Sequence, residues 1–233
     1  EAIILDVPNS SDSRTIDESK FIATIKNNIR KKPSSVVIGP GLGSRKGLYK
    51  IIEDSLKYFD CPIILDADAL NLISKDFNVL DKYKNQIIIT PHPGEMSKIT
   101  GKSVREIQAN RIKISSDVSR KIKCISVLKG FRTIISSNSG QIYINGSGNE
   151  GMATGGMGDA LTGIIASFIG QGYSELESTI LGVYVHGKAG DSIADVTSKR
   201  GILASEIIKK LPKTIKLIEE NSSIYSDLER IEN

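Results

Sequence analysis

Apolar and polar positions follow one another in blocks along the chain, and these blocks predict an α/β protein. Short runs rich in Ile and Val are apolar throughout, which is typical of strands buried on both faces of a parallel sheet. Longer amphipathic runs between them have the spacing of helices that cover such a sheet. The predicted strands span residues 2–7, 35–39, 62–66, 86–90 and 122–128, and the predicted helices span residues 17–31, 45–58, 69–74 and 103–122.

The pattern changes after residue 128. Two further short strands, at residues 132–137 and 141–145, are separated by Asn138-Ser139-Gly140, which indicates an antiparallel hairpin. A glycine-rich loop comes next, and the rest of the chain is predicted to be helical. These helices span residues 158–171, 174–195 and 202–211, the last ending before Pro212, and the tail 213–233 has an amphipathic helical pattern.

Two helix starts carry a capping box, in which a serine is followed three residues later by a glutamate. They are Ser103 with Glu106 and Ser174 with Glu177. The chain has neither an internal repeat nor a linker long enough to separate domains. We therefore expect a single α/β domain over residues 1–233, with a mostly parallel central sheet flanked by helices in three layers.

Composition narrows the classes of function. The 233 residues are 39% hydrophobic and 25% charged, and the net charge of +4 is spread along the chain, so a nucleic-acid partner is not expected. No signal peptide and no apolar run of about 18 residues is present, so we expect no membrane partner and a cytoplasmic location. Cys61 and Cys124 stand singly in apolar segments and are expected to be buried, reduced thiols.

Residues that carry chemistry follow four of the predicted strands. Because ligands bind beyond the carboxyl ends of parallel strands, these residues are candidates for one site. They lie in the segments Gly39-Pro-Gly-Leu-Gly43, Asp66-Ala-Asp68, Pro91-His-Pro-Gly-Glu95 and Lys129-Gly130. Each segment taken alone is also compatible with an ordinary turn.

Several of these residues have two interpretations. Asp66 and Asp68 either bind Mg²⁺ or, in the favoured interpretation, Asp68 caps a helix that begins near Ala69. His92 lies between two prolines, and we expect it to bind a polar substrate. Glu95 either caps a short helix or holds a metal-bound water. His186 lies among apolar residues and is predicted to be a packed or interface histidine.

The strongest signal is the loop Gly151-Met-Ala-Thr-Gly-Gly-Met-Gly-Asp159, which runs directly into an apolar helix. Glycines that free backbone N–H groups at a helix start make an anion site, so we expect a phosphate here. Asp159 is then placed as a base beside that phosphate. The loop lacks the Gly-Lys-Ser/Thr of a Walker loop and does not follow the first strand as a Rossmann fingerprint does.

Five motifs occur together in one order. They are Val37-Ile-Gly-Pro-Gly-Leu-Gly43, Leu65-Asp-Ala-Asp-Ala-Leu-Asn71, Thr90-Pro-His-Pro-Gly-Glu95, Val127-Leu-Lys-Gly130 and Asn149 to Gly163. As a set they closely resemble the ADP/ATP-dependent NAD(P)H-hydrate dehydratases of the ribokinase-like superfamily, over roughly residues 35–211. The resemblance implies a ribokinase-like three-layer fold with a short antiparallel hairpin before the glycine loop.

The resemblance also implies a repair reaction, in which hydrated NADH or NADPH is dehydrated while ADP or ATP is hydrolysed. It makes Asp159 the catalytic base, and Gly43, His92 and Asp159 the residues that bind the hydrated cofactor. The nucleotide is expected at Lys129, Gly130, Phe131, Arg132, Thr133, Asn149, Glu150, Gly151, Met152, Ala153, Thr154, Gly155, Gly156, Met157 and Gly158. Mg²⁺ is expected with the nucleotide, without an assigned ligand.

Further expectations come from the same resemblance. The form of the His92 loop favours ADP over ATP, and relatives are often tetramers, so a homo-oligomer is expected. Relatives begin with a glycine-containing strand–helix unit that has no match here, and many carry an epimerase domain in front. The alternative functions are a ribokinase-like kinase, such as a hydroxymethylpyrimidine or hydroxyethylthiazole kinase, and a nucleotide-binding regulator without turnover.

Overall fold

The structure is a computed structural model that describes residues 17–29, 31–43, 47–81, 83, 85–220 and 228–231. The strands are β1 Val36–Ile38, β2 Ile63–Leu65, β3 Ile87–Ile89, β4 Ile125–Leu128, β5 Ile134–Ser136, β6 Ile142–Asn145 and β7 Leu228–Ile231. The helices are α1 Glu18–Asn28, α2 Leu48–Tyr58, α3 Ala67–Ile73, α4 Asn78–Asp81, α5 Pro93–Thr100, α6 Val104–Ala109, α7 Arg111–Ile122, α8 Met157–Gly170, α9 Glu175–Ala194 and α10 Ala204–Glu220. A 3-10 turn covers Glu150–Met152.

The strands form one sheet in which spatial order follows chain order, from β1 to β7. Strands β1 to β4 pair in parallel, and each later pairing, from β4–β5 to β6–β7, is antiparallel. The β5–β6 pairing confirms the predicted hairpin around Asn138-Ser139-Gly140. Because the parallel strands are consecutive, their carboxyl ends form a single edge, and the segments that follow them meet there.

Helices cover both faces of the sheet. On β2, Ile63 and Leu65 pack in a core with residues of α2, α3 and α5 to α7, whereas Ile64 packs with residues of α8 and α9. This alternation follows from the period of two in a strand, and both faces are apolar because both are covered. The three-layer prediction is confirmed, and α8 lies over the sheet on the face opposite the connecting helices.

Two predicted helices differ from the structure. The predicted helix over 103–122 is divided at Asn110, whose φ of −135° and ψ of 38° end α6 before α7 begins. The Asn110 side chain donates to the carbonyl of Glu106, which competes with continuation of the helix. Conversely, α10 runs through Pro212 rather than ending before it. Proline leaves the carbonyl four residues earlier without a partner, and Ile208 at that position is exposed to water.

The prediction of a helical tail was wrong at residues 228–231, and residues 221–227 lie outside the described residues. The segment Leu228–Ile231 is a strand paired with β6, so the chain after the glycine loop is not entirely helical. The strand predicted at residues 2–7 lies outside the described residues. Both capping boxes are present as predicted.

Two further predictions concern single residues and the membrane. Cys61 and Cys124 are free and buried, as expected, and burial raises the pKa of each thiol. Across the part of the chain that the structure covers, none of the helices is long and apolar enough to span a bilayer.

Candidate active site

Asp159 lies in the first turn of α8, at the end of the glycine-rich loop. Gly156 is the N-cap of this helix and has a φ of 83°, a conformation that glycine adopts at little cost. The Asp159 residue is exposed, and no described residue hydrogen-bonds to its carboxylate or pairs with it. A free carboxylate beside the open N–H groups of a helix start is the arrangement that the loop sequence predicted.

Helix α9 holds the residues that precede the glycine-rich loop and its first residues, through hydrogen bonds to Asp191. Asp191 accepts hydrogen bonds from the backbone N–H of Gly148 and from Nδ2 of Asn149, each at 2.9 Å. Asn149 in turn accepts from the N–H of Gly151 at 3.0 Å. Two glycines on α9 allow this close approach, because a Cβ on Gly187 would overlap Ser147 and one on Gly190 would overlap Met152. Residues 147–152 therefore lie directly on the helix backbone.

A buried charged cluster lies beneath the start of α8, and we call Asp66, Glu95 and Lys129 the acid–lysine cluster. Nζ of Lys129 is 2.7 Å from Oδ1 of Asp66 and 3.9 Å from Oε2 of Glu95. Asp66 is 1% exposed and Glu95 is 5% exposed. A Cβ added to Gly158 would lie 3.1 Å from Lys129 Nζ and 3.2 Å from Asp66 Oδ2, so the helix start rests on this cluster.

The positions of these residues follow from the sheet. Ile64 and Val127 lie on the face of the sheet that packs against α8 and α9. Asp66 and Lys129 each follow one of them by two residues, so their side chains lie on the same face. The two side chains therefore meet on the α8 face, one beyond β2 and the other beyond β4. The sequence placed both residues at strand ends, but it gave no signal that they form an ion pair.

His186 of α9 is a second buried group on this face of the sheet. Its Nε2 is buried and has no hydrogen-bond partner within the described structure. Burial, followed by the positive charge of Lys129, lowers the pKa of His186 to about 4, so the ring is neutral near pH 7. The prediction of a packed histidine is confirmed.

His92 is the N-cap of α5. Its Nδ1 accepts hydrogen bonds from the N–H groups of Gly94 at 2.9 Å and Glu95 at 3.2 Å. Glu95 completes a capping box, since its Oε2 accepts from the N–H of His92 at 2.8 Å. The structure thus favours the cap interpretation of Glu95. The His92 side chain remains 56% exposed, so its outer edge is open to a ligand.

Asp68 does not cap a helix. Helix α3 begins at Ala67 rather than near Ala69, and Asp68 lies in its first turn. Its Oδ2 accepts a hydrogen bond from the backbone N–H of Gly43 at 2.8 Å, so it holds the glycine loop that follows β1. The chain reverses sharply here, because Ala67 has a φ of 47°, a left-handed conformation that is strained for alanine.

The segment from Lys129 to Thr133 is the hairpin connection between β4 and β5. Thr133 donates to the carbonyl of Gly130 at 3.0 Å, which closes the turn. The Phe131 side chain extends outward and is 86% exposed, with the Arg132 guanidinium 5.8 Å from its ring centroid. Arg111 of α7 donates to the carbonyl of Leu128 at 3.0 Å and supports the turn from below.

The structure therefore connects several of the segments that contain predicted site residues. Lys129 reaches the start of α8, its backbone N–H donates to the carbonyl of Pro91 at 2.9 Å, and Gly43 is fixed by Asp68. Asp191 and Arg111, which hold the two loops, were missed by sequence reasoning. Asp191 had a weak signal, since it follows two glycines that are three residues apart on one helix, whereas Arg111 had none.

Comparisons with known proteins agree on one family. The family model described as NAD(P)H-hydrate dehydratase matches residues 8–213. The bifunctional NAD(P)H-hydrate repair enzyme Nnr of Moorella thermoacetica is 40% identical over 185 residues, which cover 79% of this chain and 35% of that protein. The ADP-dependent (S)-NAD(P)H-hydrate dehydratase of Neisseria meningitidis is 38% identical over 183 residues, covering 76% of this chain and 62% of that protein.

A solved structure shows the same fold. The ADP/ATP-dependent NAD(P)H-hydrate dehydratase of Bacillus subtilis, co-crystallised with ATP/Mg²⁺, superposes with a TM-score of 0.75 at 28% identity. The match covers 86% of this chain and 76% of that one, and the predicted ribokinase-like fold is confirmed. The chain spans about a third of the length of the first curated relatives that it matches. Since the family model covers most of its residues, the chain belongs to the NAD(P)H-hydrate dehydratase family.

Proposed function

We propose that this chain dehydrates hydrated NADH and NADPH, using ADP or ATP as the phosphoryl donor. The observation that carries the proposal is Asp159, a free carboxylate on the first turn of α8, whose neighbour Gly158 lies beside the partly buried ammonium of Lys129. Phosphoryl transfer to a hydroxyl needs a base beside a phosphate site, and these two groups supply both. The names of the Moorella and Neisseria relatives support a hydrated nicotinamide ring as the source of this hydroxyl.

The nucleotide would lie between the glycine loop and the β4–β5 turn. The first N–H groups of α8 point away from the helix and attract the phosphates, as does the Lys129 ammonium. Phe131 and Arg132 form an exposed aromatic and cationic pair on which a base could stack. The relative from Neisseria is named as ADP-dependent, which agrees with the preference for ADP inferred from the His92 loop.

The residues also fit a magnesium ion that is carried by the phosphates. In the described part of the chain, no group of three His, Cys, Asp or Glu side chains gathers as a metal site. Asp66 is nevertheless at hand as a single carboxylate beside Lys129, and Mg²⁺ needs only one or two when phosphates and waters complete its shell. When bound, Mg²⁺ would neutralise charge on the phosphates.

The chemistry then takes two steps. In the first, Asp159 takes the proton of the ring hydroxyl, whose oxygen attacks the terminal phosphorus, and the bond from phosphorus to the nucleotide's bridging oxygen breaks. The N–H groups at the α8 start stabilise the charge that develops. In the second, the carbon–oxygen bond breaks, phosphate leaves with the electron pair, and loss of the neighbouring C–H proton restores the ring double bond. His92 and Gly43 would hold the ring during both steps.

The direct test uses hydrated NADH with ADP, or with ATP, and follows the absorbance of the restored dihydronicotinamide. Asp159→Asn should lower kcat by at least about a hundredfold, because it removes the base. Asp60→Asn is the matched control, since Asp60 is an exposed aspartate that precedes β2, at the opposite end of that strand from Asp66. Accumulation of a phosphorylated substrate without restored absorbance would indicate a kinase, and full activity of Asp159→Asn would exclude Asp159 as the base.

A further inference from the structure

Three helices in the described structure begin with a capping box whose third residue is glutamate. In two of them, Ser103 with Glu106 and Ser174 with Glu177, the carboxylate is exposed and accepts hydrogen bonds from the N-cap serine. A glutamate can therefore complete a capping box without being buried. The third box pairs His92 with Glu95, and there the glutamate is 5% exposed. Burial of a carboxylate is costly, so Glu95 needs partners beyond the helix cap.

One of those partners is the His92 ring. Because Nδ1 accepts from two backbone N–H groups, the proton of the neutral ring is assigned to Nε2. Oε1 of Glu95 lies 3.4 Å from this Nε2, while Oε2 accepts from the His92 backbone N–H at 2.8 Å. A single buried carboxylate therefore contacts His92 through both the backbone and the ring, which restrains the orientation of a ring whose tautomer the backbone N–H groups already set.

The other partner is Lys129. Oε2 of Glu95 is 3.9 Å from the Lys129 ammonium, and the backbone N–H of Lys129 donates to the carbonyl of Pro91, next to His92. Lys129 begins the turn assigned to the nucleotide, whereas His92 is assigned to the hydrated cofactor. Glu95 is thus the one side chain in the described structure that contacts both a residue of the nucleotide segment and the substrate histidine.

We propose that Glu95 is a positioning residue that holds the His92 ring in one orientation, with Nε2 beside Oε1 of Glu95, and links the orientation of that ring to Lys129. The first part stands on the contacts within the His92 loop, and the second rests on the proposed function. A phosphate that draws the Lys129 ammonium upward would change the charge facing Oε2, and the carboxylate would transmit this change to the His92 ring. Nucleotide binding would then alter the group that receives the substrate.

The test is Glu95→Gln with Glu106→Gln as the matched control. The glutamine carbonyl can still accept from the N–H of His92, so α5 keeps its start, and far-UV circular dichroism with urea unfolding checks the fold. Ring ¹⁵N shifts are then recorded at about pH 8, where an ordinary imidazole is neutral. The chain has two histidines, so a His186→Leu spectrum identifies the His92 signals.

In the wild type and in both variants, His92 should be the Nε2–H tautomer, because its Nδ1 accepts from backbone N–H groups that the substitutions leave in place. Glu95→Gln should shift the Nε2 signal of His92, because the carboxylate charge beside Nε2 is lost, whereas Glu106→Gln should not. Addition of ADP and Mg²⁺ should shift the His92 signals in the wild type but not in Glu95→Gln. The KM for hydrated NADH should rise about tenfold in Glu95→Gln with little change in kcat, the size expected for one misplaced hydrogen bond.

Unchanged ring signals in Glu95→Gln would overturn the positioning role, whatever the enzyme's activity. If calorimetry shows that ADP binds while the wild-type His92 signals stay constant, the link to Lys129 is wrong. If neither ADP nor hydrated NADH binds the wild type, the proposed function fails, and the comparison of ring signals between the wild type and Glu95→Gln still decides whether Glu95 orients His92.

Discussion

The ammonium of Lys129 lies 2.7 Å from Oδ1 of Asp66, and the pair joins the ends of β2 and β4 beneath α8. Asp66→Asn leaves that ammonium, 19% exposed, without its nearest charge, so unfolding free energy should fall by about 3 kcal/mol. Asp117→Asn breaks the exposed pair with Lys113 and should cost at most about 0.5 kcal/mol. Urea unfolding of both variants measures the two losses of unfolding free energy. Equal losses would mean that the Lys129–Asp66 pair stabilises the fold no more than an exposed pair does.

Gly39 should tolerate no side chain. Its φ is 130°, and a Cβ would overlap the backbone carbonyl of Asp66, which cannot move without disturbing β2. Gly39→Ala should therefore lose at least about 3 kcal/mol of unfolding free energy. Gly41→Ala is the control, since Gly41 has a φ of 66° and open space around it, and it should lose about 1 kcal/mol. Similar midpoints for the two variants would contradict the close approach.

Gly158 should separate stability from binding. Alanine is favoured over glycine in a helix by up to about 1 kcal/mol, but here its Cβ would lie 3.1 Å from the flexible end of Lys129. The Cβ would also lie 3.2 Å from Oδ2 of the buried Asp66, so Gly158→Ala must shift the Lys129–Asp66 pair slightly, which opposes the gain in helix propensity. The melting temperature should therefore change little, while ADP affinity, measured by calorimetry, falls about tenfold or more. Gly163→Ala, with nothing near its Cβ, should gain stability and bind ADP normally. Normal ADP affinity in Gly158→Ala would remove Lys129 from the nucleotide site.

His186 should make the protein less stable in acid. Its pKa is about 4 in the folded state against 6.5 ordinarily, so between these values the unfolded chain binds the extra proton. Its contribution is therefore complete above about pH 6.5 and is lost as the pH falls towards 4, a difference of about 3 kcal/mol. Unfolding free energies of His186→Leu should show this part of the pH dependence removed. An identical slope in the wild type and the variant would show that His186 titrates normally.

The order of apolar and polar residues along the chain was enough to locate the strands and the start of α8 beside Asp159. The Ile and Val runs before Gly39, Asp66 and Lys129 are strands within three residues of their predicted bounds, because burial on both faces leaves a run that is apolar throughout. The glycines before Asp159 likewise encode the helix start locally. These features depend on residues adjacent in sequence, which a sequence pattern can represent.

Features that depend on distant partners were not predictable in this way. Residues 228–231 form a strand only by pairing with β6, and their own pattern gave a helix. Aspartate is a common N-cap residue, yet the Asp68 carboxylate accepts its hydrogen bond from the N–H of Gly43, which is distant in sequence. The residues of the acid–lysine cluster follow three different strands and are far apart in the chain. Each motif could therefore be recognised in the sequence, but the contacts between them could not.

The spatial order of the sheet has a consequence for biosynthesis. Each parallel strand pairs with the strand made just before it, so β1 to β4 can assemble while the rest of the chain is still being synthesised. Helices α8 and α9 are made later, and until they dock, the row that contains Ile64, Ile88 and Val127 has no cover. A nascent chain that ends before residue 157 would expose this apolar row and would lack Asp159. We therefore expect such a chain to need chaperone protection during translation and to acquire its base only when folding is nearly complete.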